Sequence, residues 1–360
     1  MLRFLHASDL HLDSPFAGLT GEQAARRRRE QRAQLRELKA LAGEVDLVLL
    51  AGDLLDSARA YAETREALEE FFRGLAVPVF LAPGNHDYYT PQCPYARMAL
   101  PENVHVFTHG EPEKVSLPEL GCAVWGAAFR GERSGGLLRG FRAETDGSLQ
   151  LMVLHGDVTE GDSKYGPVSQ GDMAASGLDY LALGHRHACT GLRRAGKTWW
   201  AYSGCTLGRG FDETGEKGVL LGTLDGDRCT LEFRPLSGRR YWDLRAEVTG
   251  AESLERVALD ALPPDCAGDI LRLTLTGEWE EKPRMEELIR ALEGRCWSLT
   301  LRDETRLTRD IWRIAEEDTL RGAFLRILRK QYETAEEEKQ EQITGAARFG
   351  LAALEYREDL

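Results

Sequence analysis

The chain has 360 residues, of which 42% are hydrophobic and 29% are charged. This composition is that of a globular protein with about two domains, and no apolar run reaches the roughly 20 residues that a membrane-spanning helix needs. The formal net charge of −13 argues against nucleic-acid binding through overall charge. Basic runs such as Arg26–Arg29 are interpreted either as solvated surface or as a local basic face that binds nucleic acid.

The first part of the chain alternates apolar runs with amphipathic patterns. It predicts strands at 2–6, 45–51 and 77–82 and helices at 24–42 and 63–75. A β-α-β-α-β start predicts parallel strands covered by helices. Denser strands joined by glycine-rich turns follow and predict mixed or antiparallel sheet, at 104–107, 122–126, 149–155, 178–184, 198–202, 218–224 and 229–234. Two packed sheets with flanking helices is the simplest architecture that uses all of them.

The pattern changes after about residue 238. A strand–helix–strand–helix–strand series follows, with strands at 241–249, 270–276 and 297–301 and helices at 253–262 and from Pro283. This predicts a small accessory domain of residues 239–305 after a first domain of residues 1–238. Residues 306–360 form a tail, helical from about Arg309, whose apolar face either packs on the protein itself or docks a partner.

The seven cysteines are scattered along the chain, with no CxxC pair among them. An odd, unclustered set fits reduced thiols better than a disulfide framework or a zinc site. The sequence also does not open with a basic segment followed by an apolar signal core. We therefore expect a cytoplasmic protein without a membrane partner.

Five predicted strands are each followed by a short polar segment rich in His, Asp or Asn. In chain order these segments are Asp9-Leu10-His11, Gly52-Asp53-Leu54-Leu55-Asp56, Gly84-Asn85-His86-Asp87, His155-Gly156-Asp157 and Gly184-His185-Arg186-His187. Ligand sites in open α/β sheets form outside the carboxyl ends of the strands, so five such ends indicate one converged site. Residues two apart on a strand share a face, which pairs Asp9 with His11 and His185 with His187.

The residue types in these segments indicate divalent metal binding. Carboxylate, imidazole and amide ligands suit Mn, Fe, Zn or Co, and the absence of cysteine from the set argues against a soft thiolate site. Each motif alone is more often incidental, and Asp9 by itself would be an ordinary turn or cap residue. The prediction rests on their joint order. Asp13, which follows the first motif, is interpreted as a turn residue or as a residue that contacts the metal ligands without binding the metal.

This order of motifs resembles that of the calcineurin-like metallophosphoesterases over about residues 1–235. The stretches DLHLDSPF, AGDLLD, APGNHD, DYLALGHRH and GRGFDETGEKG are similar to the bacterial DNA-repair exonucleases of the SbcD and YhaO type. The resemblance implies an α/β fold: a four-layer α/β/β/α sandwich with a small α+β accessory, or capping, domain and C-terminal helices. It also implies two divalent metal ions, with manganese expected first and iron, zinc or cobalt as alternatives.

The resemblance further implies a role for each matched side chain. Seven would be metal ligands: Asp9, His11 and His187 for the first metal, Asn85, His155 and His185 for the second, and Asp53 bridging both. His86 would stay free of metal and would protonate the leaving oxygen or stabilise the transition state. Asp56 would orient His86, although some nucleases of the family have histidine at this position.

The implied activity is that of a metal-dependent phosphodiesterase, most directly a DNA exonuclease or endonuclease that acts in DNA repair by two-metal hydrolysis. Two alternatives stay open. One is a phosphoesterase acting on nucleotides or other small phosphodiesters. The other belongs to a different class, a weakly active regulatory subunit of a coiled-coil ATPase complex. The implied partners are DNA, an SbcC-like coiled-coil ATPase at the C-terminal helices, and a second copy of the chain.

Overall fold

The computed structural model describes residues 1–144, 146–279, 283–307 and 311–354. The chain divides into two compact units. One comprises Met1–Asp243, Asp265–Arg272 and Gly294–Leu299, and the other comprises Leu244–Pro264, Leu273–Glu293 and Thr300–Leu360. The three predicted domains, with boundaries near residues 238 and 305, stay predictions.

The secondary structure follows the predicted alternation along most of the chain. The strands are β1 (Leu2–Ala7), β2 (Leu47–Leu50), β3 (Val79–Leu81), β4 (Val104–Val106), β5 (Glu113–Leu117), β6 (Cys122–Gly126), β7 (Leu149–His155), β8 (Asp157–Val158), β9 (Pro167–Val168), β10 (Tyr180–Gly184), β11 (Arg193–Ala195), β12 (Thr198–Tyr202), β13 (Gly218–Asp225), β14 (Arg228–Pro235), β15 (Tyr241–Glu247), β16 (Ile270–Trp279) and β17 (Ser298–Leu307). The α-helices are α1 (Gly21–Ala42), α2 (Ala62–Arg73), α3 (Pro94–Arg97), α4 (Gln170–Ala175), α5 (Leu254–Asp260), α6 (Met285–Ala291), α7 (Leu320–Tyr332) and α8 (Glu337–Leu354).

Two six-stranded sheets form the body of the first unit. The first sheet has the order β14-β13-β1-β2-β3-β4, with β13 antiparallel to both of its neighbours. Strands β1 to β4 are parallel, as predicted for β1 to β3. The second has the order β11-β12-β10-β7-β6-β5, parallel from β12 to β6 and antiparallel at its two edges. The later strands are therefore mixed, with a parallel centre that turn composition alone did not indicate.

Apolar packing divides this unit into four layers. The two sheets bury a shared core that includes Phe4, Phe80, Val124 and Tyr180. Helices α1 and α2 cover the outer face of the first sheet. The outer face of the second sheet is covered by the short helix α4 and by the apolar segment around Leu138. The predicted α/β/β/α sandwich is confirmed, with a fourth layer that contains little regular helix.

The C-terminal third has the predicted order β15-α5-β16-α6-β17, and its three strands form one sheet in that order. Helix α6 begins at Met285, two residues after the proline that was expected to start it. In the tail, α7 and α8 pack around Leu325, Ala347 and Leu351. The predicted helical start at Arg309 lies outside the described residues. None of the described helices is both long and apolar enough to cross a membrane.

Candidate metal centre

The five polar segments meet at the carboxyl ends of β1, β2 and β3 in one sheet and of β7 and β10 in the other. Four non-glycine residues there adopt positive φ angles: Asp9 (52°), His11 (43°), Asp53 (51°) and His185 (111°). Side chains other than glycine rarely adopt this backbone, and it persists only where surrounding contacts hold it. Hydrogen bonds from Asp9 N to Gly52 O (3.0 Å) and from His11 N to Asp53 O (2.9 Å) supply such contacts.

Asp9, His11 and His187 form the first group of converging side chains. Asp9 Oδ1 lies 3.9 Å from His11 Nε2 and 3.7 Å from His187 Nε2, and the two imidazole nitrogens are 3.2 Å apart. Ligand atoms that share a cation at about 2.1 Å are themselves separated by about 3 to 4 Å. The three atoms are therefore spaced as ligands of one ion would be.

Asn85, His155 and His185 form the second group. Asn85 Oδ1 lies 3.0 Å from His155 Nε2 and 3.3 Å from His185 Nδ1. The close approach depends on a glycine, because a Cβ on Gly84 would overlap Asp53 Oδ1 and lie 2.8 Å from His155 Nδ1. The sequence placed these three residues on three different strand ends, and the fold brings them together.

Asp53 lies between the two groups. Its Oδ2 is 3.8 Å from His11 Nε2 on one side and 3.4 Å from His155 Nε2 on the other. The side chain is 2% exposed, so it is almost completely removed from water. This placement is the one that a bridging carboxylate requires.

Hydrogen bonds on the far side of the His155 and His187 rings indicate which ring nitrogen of each is available to a metal. His155 Nδ1 lies 3.0 Å from the Ala51 carbonyl oxygen, and His187 Nδ1 lies 2.6 Å from Glu213 Oε1. Both oxygens only accept, so each Nδ1 donates and each Nε2 is unprotonated. His11 Nδ1 lies 3.1 Å from Asp56 Oδ1 without forming a hydrogen bond within the part of the chain that the structure describes. His11 Nε2 and His187 Nε2 lie 3.2 Å apart, a separation that suits two nitrogen ligands of one cation, so the donor set fits a metal.

The electrostatics of the buried groups also fit a cation. Burial, together with the nearby Asp87 and Asp9, raises the pKa of Asp53 well above its usual value. Burial lowers the pKa of His11 to about 4, and burial with the adjacent His155 lowers the pKa of His185 to about 4. The His11 and His185 imidazoles are therefore neutral near pH 7, as ligands must be, and a divalent ion would relieve the crowding of carboxylates.

His86 lies at the exposed edge of this centre, with its ring 4.8 Å from that of His11. Its Nδ1 lies 2.9 Å from the main-chain oxygen of Asp56, not from the carboxylate. The Asp56 carboxylate instead contacts His11, Ser14 and Arg209, the last at 2.9 Å. The predicted pairing of Asp56 with His86 is thus made by the main chain, and the Asp56 side chain belongs to the surroundings of His11.

Sequence reasoning missed the residues that hold His187. Arg209 donates to Glu213 Oε1 at 2.8 Å and to Asp56 Oδ1 at 2.9 Å, which links the supports of His187 and His11. Burial opposes ionisation of Glu213, but His187 and Arg209 hold its pKa well below the usual range. Both residues lie in the stretch GRGFDETGEKG, whose resemblance implied no role for either residue.

Asp87, the last residue of the GNHD motif, also supports the centre. Its buried carboxylate accepts hydrogen bonds from the main-chain N–H groups of Leu54 and Gly84, both at 2.7 Å, and from the Tyr95 hydroxyl. It therefore ties together the two turns that present Asp53 and Asn85.

Asp13 has a structural role. Its carboxylate accepts from the main-chain N–H of Tyr61 at 2.8 Å and from the Thr64 hydroxyl at 2.5 Å. Tyr61 is the N-cap residue of α2 and makes no capping bond with its own side chain. Asp13 thus caps α2 from a distant part of the chain.

The basic run Arg26–Arg29 is not a uniform solvated face. Arg27 is completely buried and donates to Gly208 O at 2.8 Å and to Glu30 Oε2 at 2.6 Å. Its guanidinium also lies 5.3 Å from the ring centroid of Phe16. The solvated-face interpretation is therefore wrong for Arg27, which joins α1 to the loop that carries Arg209.

The chain matches known proteins across this region. The family model described as Calcineurin-like phosphoesterase matches residues 2–189, a range that includes all seven predicted ligands, His86 and Asp56. The chain is also 30% identical over 342 residues to a protein of Bacillus subtilis (strain 168) named Uncharacterized metallophosphoesterase YhaO. That alignment covers 84% of this chain and 82% of the relative.

Proposed function

Because the chain belongs to the calcineurin-like phosphoesterase family, and is thus a metal-dependent phosphoester hydrolase, we propose that it is a binuclear phosphodiesterase that cleaves DNA. The observation that carries the proposal is the position of Asp53 Oδ2 between His11 Nε2 and His155 Nε2. One carboxylate between two groups of converging ligand atoms supports a pair of ions rather than a single one.

The donor set supports manganese as the native metal. Five imidazoles, two carboxylates and one amide line or adjoin the centre: His11, His86, His155, His185, His187, Asp9, Asp53 and Asn85. A mixed nitrogen and oxygen set is compatible with Mn, which we propose first, and with Fe, Zn or Co as alternatives. When bound, two such ions would lower the pKa of the attacking water and neutralise charge on the phosphate oxygens.

His86 is proposed as the general acid. The carbonyl of Asp56 only accepts a hydrogen bond, so His86 Nδ1 carries a hydrogen and Nε2 is left to hold and release the transferable proton. The ring is exposed at the edge of the centre, where a leaving oxygen can reach it. Protonation of that oxygen favours departure of the cleaved strand.

The openness of the centre supports a polymeric substrate. His86 is exposed, and Asn85, His185 and His187 are half-buried. A phosphodiester within a long strand can therefore approach from this side without first being enclosed. This favours DNA over a small phosphodiester, which is the alternative substrate class.

We also propose a cytoplasmic location and two macromolecular partners. All seven cysteines are free thiols, which fits a reducing compartment.

Leu320 and Ile327 on α7 and Phe349 on α8 are exposed, which supports docking of a coiled-coil ATPase at the tail. A homodimer is the further proposal. Light scattering of the purified chain tests the dimer, and co-expression with a coiled-coil ATPase encoded beside it tests the complex.

The proposed reaction is tested with purified protein, Mn²⁺ and three substrates: a labelled linear duplex, a labelled single strand and bis-p-nitrophenyl phosphate. Cleavage of DNA that EDTA abolishes is the expected result. Hydrolysis of the small ester alone would instead assign the protein to small phosphodiesters. Failure to hydrolyse any substrate with any of the four metals, together with a stable ATPase complex, would favour a regulatory subunit.

A further inference from the structure

A basic groove lies beside the candidate metal centre. It has a volume of about 540 Å³, and its polar and aromatic lining consists of Arg59, Arg65, Arg97, Tyr88, Thr90 and Gln92. We call it the arginine groove. The metal ligands, His86 and Asp56 are not among the residues that line it.

The groove begins where the metal centre ends. The contact between His86 Nδ1 and Asp56 O, at 2.9 Å, places two chain segments side by side. Those segments continue directly into the groove, one through Ala58 and Arg59 and the other through Tyr88. A strand that presents a phosphate to the metal centre would therefore enter the arginine groove with its next nucleotides.

The charge of the groove is unbalanced. Arg59, Arg65 and Arg97 are all exposed, and among the described residues no carboxylate lines the groove with them. Within the described residues, none of the three guanidinium groups makes an ion pair or a hydrogen bond. In a chain of net charge −13, three unpaired arginines facing one groove are unexpected for a surface with no ligand.

A second basic groove, in contrast, includes acidic side chains among its lining residues. The groove between α1 and α2 is lined by four basic residues of α1, together with Glu63 and Glu70 of α2. Arg32 in it also lies 3.6 Å from Asp13 Oδ1. Acidic side chains thus accompany the basic residues there, whereas the arginine groove leaves its positive charge to be matched by a ligand.

We propose that the arginine groove binds the sugar–phosphate backbone of a nucleic-acid strand that extends from the scissile phosphate. Guanidinium groups bind phosphate oxygens through paired N–H donors, and Tyr88 adds a half-buried aromatic surface beside them. The inference rests on the proposed phosphodiesterase function and adds a selection for length. A small ester fills only the metal centre, whereas a strand also occupies the groove.

The test compares wild type with a variant carrying Arg59→Ala, Arg65→Ala and Arg97→Ala. The control carries Arg29→Ala, Arg36→Ala and Lys39→Ala, which remove the same charge from the groove between α1 and α2. Binding of a fluorescein-labelled 20-nucleotide single strand is followed by anisotropy in EDTA over a range of salt concentrations, so that hydrolysis plays no part. Hydrolysis of the same strand and of bis-p-nitrophenyl phosphate is then measured with Mn²⁺.

The arginine-groove variant should bind the strand at least tenfold more weakly, and the slope of log K against log salt should fall by about 2, since each phosphate contact contributes about 0.7. Its kcat/KM should fall much more for the strand than for the small ester. Equal losses of binding in the control variant, or unchanged binding and salt slope in the arginine-groove variant, would overturn the proposal that this groove binds the strand. Each single arginine variant should show a partial loss, which separates a binding effect from misfolding.

The outcomes also separate the groove from the proposed function. If wild type cleaves DNA and the variant binds and cleaves it equally well, the strand-binding role of the groove is wrong and the nuclease function stands. If the arginines are needed for binding but wild type hydrolyses no DNA with any metal, the nuclease function is wrong and the groove stands.

Discussion

His187 Nδ1 donates a 2.6 Å hydrogen bond to Glu213 Oε1, which leaves His187 Nε2 unprotonated and 3.2 Å from His11 Nε2. Glu213 is itself held by Arg209, whose other guanidinium nitrogen reaches Asp56. A residue 26 positions after His187 therefore sets which nitrogen of that ring is available to a metal. Groups that fix a ligand's tautomer in this way contribute measurably to metal affinity.

We expect Glu213→Ala to weaken binding at the first metal position by about 10- to 100-fold. Without the carboxylate, the His187 ring loses the acceptor that fixes its tautomer and its orientation. Manganese titration of the metal-free protein by calorimetry measures the effect directly, without reference to turnover. Glu216→Ala, an exposed position in the same loop, is the matched control. Affinities that agree between Glu213→Ala and wild type would show that His187 does not depend on Glu213.

His86→Ala should separate metal binding from turnover. His86 faces the centre from its exposed edge and is proposed to donate a proton, so its loss should lower kcat by about 10² to 10⁴. Metal content, measured by elemental analysis, should stay at the wild-type value. His109→Ala, at a histidine whose side chain is 68% exposed and paired with Glu113, is the control. A fully active His86→Ala enzyme would rule out the assignment.

Asp53→Asn should have opposite effects on the metal-free and the metal-bound protein. Burial and the nearby Asp87 and Asp9 carboxylates raise the pKa of Asp53, so the amide should stabilise the metal-free protein by removing the cost of a buried charge. In wild type, saturating metal should add about 2.7 kcal/mol at 100 times Kd. The variant should lose most of that gain. Thermal unfolding with EDTA and with Mn²⁺ measures both effects.

Removal of the whole carboxylate of Asp53 tests its proposed bridging role directly. Asp53→Ala should lower the metal content of the purified protein, because the ligand shared by both groups is removed. A full complement of two ions in Asp53→Ala would contradict a bridging role.

Much of the site was predictable because its residues follow strands whose apolar runs are long and continuous. Parallel strands direct their carboxyl ends to one edge, so the ends of β1, β2 and β3 had to meet. The edge strands β5 and β11 were missed because their sequences, EKVSL and RRA, lack an apolar alternation. Their pairing partners in the folded chain determine that they are strands.

The supports of the ligands were harder to predict because their partners are not encoded nearby. The acceptor for His155 Nδ1 is the main-chain carbonyl of Ala51, and any residue type offers a carbonyl. Arg27 is buried where it donates to Gly208 O, which lies 181 positions away in the sequence. Neither contact leaves a local pattern, so only the tertiary structure reveals it.

Asp13→Ala should reduce stability without affecting the metals. Its carboxylate caps α2 through Tyr61 N and Thr64 Oγ1, and loss of a capping group costs about 1 kcal/mol. Urea unfolding should show that loss, and manganese affinity should equal that of wild type. Weaker metal binding in Asp13→Ala would instead return this residue to the functional site.

His6 provides a pH dependence that is separate from the metal ligands. It is completely buried on β1, where Nε2 donates to Leu183 O at 3.1 Å and Nδ1 accepts from the Tyr180 hydroxyl at 2.9 Å. Burial lowers its pKa to about 4, against about 6.5 in the unfolded chain. The unfolded state therefore binds a proton below pH 6.5 that the folded state does not.

His6 should consequently reduce the free energy of unfolding as the pH falls from about 6.5 to about 4, by about 1.4 kcal/mol per pH unit, with no further change below that range. Other buried groups also titrate there, so the quantity to measure is the difference between wild type and His6→Gln. Urea unfolding in EDTA at half-unit pH steps gives both curves. The difference in the free energy of unfolding between wild type and His6→Gln should change across this range, to the disadvantage of wild type, because only wild type has His6 to be protonated in the unfolded state. Parallel curves between pH 6.5 and 4 would show that His6 is protonated equally in both states.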